Sequence, residues 1–271
     1  MVGKLIKNEL KAGLHYVAPI YIATVAVAAI LAISFLFEIV WLAGIALMAF
    51  LIVAFGVLAV TLISVISNFN KSMFRDQGYL TFTLPVTSGQ LLFAKALCSF
   101  IWILLSYIVF IGMYAGMFAY LYDQLDKETL DMLAQILEAF DKLPDVASLV
   151  ILVSFFLIYF FINIVFLVSE IYFSVALANT RIFQKMGLLS TIGIFIVTFL
   201  TTTIANLLIK NHFPLSARFT LTGPYAGLEI LFEPMSQSGA FGFADVITML
   251  IGSALFFLAT AWFMKHKINL K

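Results

Sequence analysis

Six uninterrupted apolar runs constrain this chain more than any other feature. They extend over Val17 to Phe37, Leu42 to Ile66, Ala96 to Leu121, Val146 to Ser169 with a continuation to Asn179, Met186 to Ile209, and Val246 to Met264. A helix crosses a hydrocarbon layer of about 30 Å in about 20 residues. Within lipid the backbone must also satisfy its own hydrogen bonds, which a helix does and an open strand does not. The composition agrees: 63% of the 271 residues are hydrophobic, 11% are charged, and the mean hydropathy is +1.12. Such a chain lacks the polar surface to cover a water-soluble globule. The expected fold class is therefore an all-α membrane protein, with six transmembrane helices in one domain, 1–271. Soluble enzymes and nucleic-acid modules are excluded. A net charge of +1 gives no reason to expect a polyanionic partner, and the single cysteine, Cys98, has no intramolecular disulfide partner. The first run is too long, and its basic prelude too extended, for a cleavable leader.

The distribution of charge orients the helices, because basic residues near helix ends stay on the cytoplasmic side. Lys4, Lys7, Lys11, Lys71, Arg75, Lys95, Arg181, Lys185, Lys265, Lys267 and Lys271 fall on one side, with only Glu9 and Asp76 against them. The opposite side is acidic, carrying among others Glu38, Asp123, Asp126, Glu128, Asp131 and Glu138. Both termini and the loops near 67–95 and 180–185 are thus expected in the cytoplasm.

The connecting segments are patterned too. Residues 1–16 place Leu5, Ile6, Leu10 and Leu14 on one side and lysines on the other, the signature of an interfacial helix. Leu130, Leu133, Leu137 and Phe140 recur at steps of three and four, which predicts an acidic amphipathic helix within the outer segment 122–145. The segment 210–245 is apolar but is interrupted by Pro214, Pro224, Pro234 and several glycines. It reads as a broken, partly re-entrant outer element between helices five and six, its irregular backbone covered by protein.

The loop 68–90 joins helices two and three. Phe69, Met73 and Phe74 with Lys71, Arg75 and Asp76 predict a short amphipathic helix, which Gly78 ends, and Pro85 enforces an extended approach. Thr87 with Gln90 three residues on reads as a capping box that opens the third helix. The stretch Arg75-Asp76-Gln77-Gly78-Tyr79-Leu80-Thr81-Phe82-Thr83-Leu84-Pro85-Val86 resembles the segment between helices two and three in permease subunits of ABC-2 type transporters. The likeness is to the small bacterial permeases encoded apart from their ATPase. The resemblance implies a multi-pass half-transporter of the bacterial cytoplasmic membrane. It would dimerise with a second copy or a sister permease and work with two copies of a separate cytoplasmic ABC ATPase. Phe69, Lys71, Phe74, Arg75, Asp76 and Tyr79 would form the coupling helix seated on that ATPase.

Other chemistry is missing from the sequence. A phosphate loop ending in Gly-Lys-Ser/Thr is absent, since the sole Gly-Lys pair, Gly3-Lys4, is followed by Leu5. ATP and Mg would accordingly sit on the partner chain, leaving no cofactor, metal or catalytic residue in this one. His15, His212 and His266 lie in three different segments, and no metalloprotease or hydrolase motif occurs. Glu170 is the one acidic residue inside an apolar run; it is either a structural group at the cytoplasmic interface or a coupling carboxylate. Two polar stripes follow helical spacing: Thr61, Ser64 and Asn68 on helix two, and Thr191, Thr198, Thr202 and Asn206 on helix five. Each is a candidate substrate path or a helix-packing seam. By resemblance, helices two and five flank the central cavity.

The function expected is thus export of an amphipathic or hydrophobic cargo, peptide or drug-like, by a non-catalytic permease. The alternatives are an ion-coupled carrier or channel using Glu170, and a non-transporting membrane immunity or scaffold protein.

Overall fold

The computed structural model describes residues 2–74, 87–121, 130–131, 134, 146–180, 182–183, 188–212, 216–220, 227–231 and 241–266. Six long helices dominate: α1 (Val2–Leu36), α2 (Val40–Phe74), α3 (Ser88–Leu121), α4 (Val146–Ala178), α5 (Leu188–His212) and α6 (Phe243–His266). All six are long and apolar enough to cross a membrane. Large apolar side chains such as Ile22, Val25, Trp41, Ile52, Val197 and Leu258 face outward, as lipid permits and water does not. The chain is a multi-pass membrane protein.

The helices are longer than the apolar runs. The first four have 33 to 35 residues, about 50 Å at 1.5 Å per residue, against a hydrocarbon layer of about 30 Å. Even a tilt of about 40° leaves helix to spare. Two expectations change as a result. Residues 2–16 are not a separate interfacial helix but the opening turns of α1, which passes Pro19 without ending. Residues 69–74 likewise do not start a new coupling helix; they are the last turns of α2. The reason is tertiary, since polar side chains in these extensions find partners on neighbouring helices, as described below. The capping box does open α3: Thr87 N–H donates to Gln90 Oε1 at 3.2 Å and Gln90 N–H to Thr87 Oγ1 at 3.3 Å.

A three-stranded antiparallel sheet lies in the region read from sequence as broken and re-entrant. The strands β1 (Ser216–Thr220), β2 (Gly227–Leu231) and β3 (Phe241–Gly242) run in the order β2-β1-β3, with Arg218 opposite Glu229 and Ala217 opposite Phe241. Strand pairing satisfies backbone groups that a broken element would leave to neighbouring protein. The acidic helix expected at 122–145 lies almost wholly outside the described residues, as do Arg75, Asp76 and Tyr79.

The chain, read from sequence as one domain, divides by its contacts into two compact units. The first comprises residues 1–121, 175–187 and 259–271. Its α1 and α2 run antiparallel through a tight turn at Glu38, and α3 runs alongside α1. Three levels hold these helices together. At one end Leu31, Ala46 and Phe50 form an apolar cluster with Met113 and Met117 against it. In the middle, hydroxyls from all three helices meet. At the other end Lys95 of α3 forms an ion pair with Glu9 of α1. The second unit comprises residues 122–174 and 188–258. There Phe173 stacks on Phe256 at 5.0 Å and Phe166 lies 5.9 Å from the same ring, joining α4 to α6.

Candidate functional site

The expected coupling residues sit where α2 ends, within the first unit. Phe69 and Phe74 are buried and meet edge to face at 6.0 Å. They therefore support the end of the helix from inside rather than offering themselves to a partner. Lys71 is exposed, with its ammonium 5.3 Å from the centre of the Tyr16 ring. Neighbouring side chains fasten this end of α2. Asn68 Nδ2 donates to Glu9 Oε2 at 3.4 Å, and Asn179 Nδ2 donates to Asn70 Oδ1 at 2.9 Å. Glu9 also holds the buried Lys95. The two helices framing residues 75–86 are thus cross-linked by polar groups just before that loop begins. Glu9, Asn70, Lys95 and Asn179 did not stand out in the sequence as a set, because nothing in their spacing says that they meet.

The two polar stripes part company. Thr61 is 1% exposed; its Oγ1 donates to Val57 O at 2.7 Å and lies 2.6 Å from Ser106 Oγ, which is 2.8 Å from Tyr21 Oη. This chain of hydroxyls stitches α1, α2 and α3 together, so Thr61 belongs to a packing seam. Ser64 is half-buried on the same helix. The stripe on α5 does something else. In the second unit Glu170, 1% exposed, accepts from Thr202 Oγ1 at 3.3 Å. One turn back, Ser174 Oγ donates to the Glu170 carbonyl at 2.8 Å and lies 3.3 Å from Thr198 Oγ1. One turn on, Thr248 Oγ1 of α6 donates to Asn206 Oδ1 at 2.7 Å.

Glu170, Thr202, Asn206 and Thr248 border a cavity of about 460 Å³ among α4, α5 and α6. Glu170, Thr202, Thr203, Asn206, Asn163 and Thr248 supply its polar groups; phenylalanine, leucine, isoleucine and methionine side chains supply the rest. The volume lies in the range of small-molecule pockets, which pair an apolar wall with a few placed polar groups. Its depth bears on Glu170. Thr202 falls in the second half of the apolar span Leu189–Ile209, so the carboxyl group lies level with the interior of that span and not at its Leu189 end. Thr198 contributes a bond beside the cavity, while Thr202 and Asn206 line it. Asn163 and Thr248 were not singled out in the sequence, although Asn163 stands seven residues before Glu170 on the same face of α4. Among the described residues no group of His, Cys, Asp and Glu could hold a metal ion.

No family model, curated protein or solved structure matches this chain.

Proposed function

We propose that the chain is the permease subunit of an ATP-driven exporter of the ABC-2 type in a bacterial cytoplasmic membrane, with both termini inside. It works with a second permease copy or a sister permease and with two copies of a separate cytoplasmic ATPase, which bind the ATP and Mg. The chain itself is not an enzyme. The observation that carries this reading is the fastened stem beneath residues 75–86. The end of α2 is tied to α1 through Asn68 and Glu9 and to Asn179 beyond α4 through Asn70, while Glu9 also grips the first turns of α3 through Lys95. A loop that converts closure of an ATPase into rigid-body motion of helices needs such a stiff base, because slack would absorb the stroke. The Arg75 to Val86 stretch supplies the likeness to the family, and the cavity beside Glu170 supplies room for an amphipathic or hydrophobic cargo of peptide or drug type.

The test is to purify the tagged chain from its native membrane in mild detergent and identify co-purifying chains by mass spectrometry, alongside Arg75→Glu. A stoichiometric ATPase, lost in the variant, is the expected result. Absence of any ATPase from a folded preparation overturns the reading.

One observation favours a second reading. A carboxyl group buried at the depth of Glu170 also suits an ion-coupled carrier that needs no ATPase. In that case Glu170→Gln abolishes transport and Arg75→Glu leaves it intact.

A further inference from the structure

Among the described residues Glu170 has no cationic partner, and none of those lining its cavity is Lys, Arg or His. A threonine hydroxyl that serves its carboxylate is shared: Thr202 Oγ1 is 3.0 Å from Phe199 O and 3.3 Å from Glu170 Oε1, so the acid receives the longer arm of that proton. An acid in an apolar, low-dielectric setting without a counter-charge is costly to ionise, and a cation that enters both favours its charged form and is held strongly by it. The space around it is far larger than a metal ion fills, and the described residues offer no cluster of metal ligands. Its remaining wall includes the rings of Phe166, Phe199 and Phe256, which supply apolar area and aromatic groups of the kind that attract cations.

We propose that this cavity binds an organic cation with an apolar body, its charge against Glu170 and its hydrophobic part against the three phenylalanines. The carboxylate supplies the charge complement, the rings supply area, and Asn206 with Thr248 closes the polar row one turn further along. Its role as a cargo site rests on the permease reading, of which it names the substrate class; the binding itself requires only this chain.

The experiment measures equilibrium binding of radiolabelled tetraphenylphosphonium to the full chain in lipid nanodiscs, with neutral triphenylphosphine oxide as competitor. Saturable binding is expected, weakened about tenfold or more by Glu170→Gln and displaced poorly by the neutral compound. The amide keeps an oxygen for Thr202 to donate to, so the variant removes charge with little change of shape. Leu255→Trp is the second variant: Leu255 lines the cavity and is 60% exposed, so the larger ring narrows the space with the carboxylate intact. It too should weaken binding, and it decides the matter should Glu170→Gln fail to fold. The proposal is overturned by an absence of saturable binding, by wild-type binding in a folded variant of either kind, or by equal displacement by the neutral compound. A chain that carries its ATPase yet fails this assay keeps the permease reading and loses the cation site. The opposite result separates them the other way.

Discussion

Lys95 of α3 is paired with Glu9 of α1 while only 3% of its side-chain surface remains exposed. Removing one partner of such a pair strands the other charge, a loss of about 3–5 kcal/mol, whereas replacing both by apolar groups is often neutral. Lys95→Met should therefore lower the unfolding midpoint of the purified protein sharply, and Glu9→Leu combined with Lys95→Met should recover most of the loss. Equal damage from the single and double variants would show that the pair contributes through packing of the lysine stem instead. Chemical denaturation in detergent reads the difference.

The hydroxyl chain Tyr21–Ser106–Thr61 leads to a milder expectation. Interhelical hydrogen bonds within membranes are worth about 0.6 kcal/mol on average, rising to about 1.7. Ser106 is the shared member, so Ser106→Ala should cost more than Tyr21→Phe, which leaves the Thr61–Ser106 contact in place. Neither should alter tetraphenylphosphonium binding, because these residues lie in the other unit from the Glu170 cavity. A change in that binding would count against treating Thr61 as a packing residue.

Gly13 of α1 lies directly against Trp102 of α3. A Cβ placed there would overlap the Trp102 indole, and the nearby atoms are ring atoms with little freedom to yield. Trp102 Nε1 is also the one buried side-chain polar atom left without a partner among the described residues. Gly13→Val should thus force the indole aside and cost about 1–3 kcal/mol through overpacking. Gly3→Val, where a Cβ meets nothing within 4 Å, is the matched control. Intrinsic tryptophan fluorescence should shift in the first variant and stay fixed in the second.

The six helices were legible in the sequence because lipid leaves the backbone so few choices: a long apolar run has to be a helix wherever its neighbours are. Their true lengths were not, because the extensions of α1 and α2 depend on Glu9, Asn68 and Asn70 finding Lys95 and Asn179, and partner choice is a property of the packed bundle. The candidate site divides along the same line. Glu170 and the α5 stripe of Thr198, Thr202 and Asn206 could be found from spacing, and the structure brings Glu170 and Thr202 together. The stripe on α2 looked the same in sequence but serves packing, since periodicity reveals that a helix has a polar face and not what the face meets. The strands of 216–242 escaped notice because proline and glycine obscure both alternation and helical period there.

The turn between α1 and α2 gives a prediction in the stabilising direction. Glu38 has φ of 52°, the left-handed conformation that is strained for a residue with a Cβ. Its surroundings explain why it is held there. Glu38 N–H donates to Phe35 O at 3.2 Å and Ile39 N–H donates to Ser34 O at 3.0 Å, the bond pattern of a Schellman motif with Glu38 in the place usually taken by glycine. The Glu38 side chain is exposed, and no described residue forms an ion pair with it. Glu38→Gly removes the steric strain and keeps both backbone bonds, at the cost of a more flexible unfolded chain. The balance should favour glycine by about 0.5–1 kcal/mol, seen as a rise in melting temperature of the detergent-solubilised protein. Glu38→Val, which adds a β-branched side chain at the same φ, should move the melting temperature the other way. If both variants melt with the wild type, the turn is not held in this conformation in the membrane protein as purified.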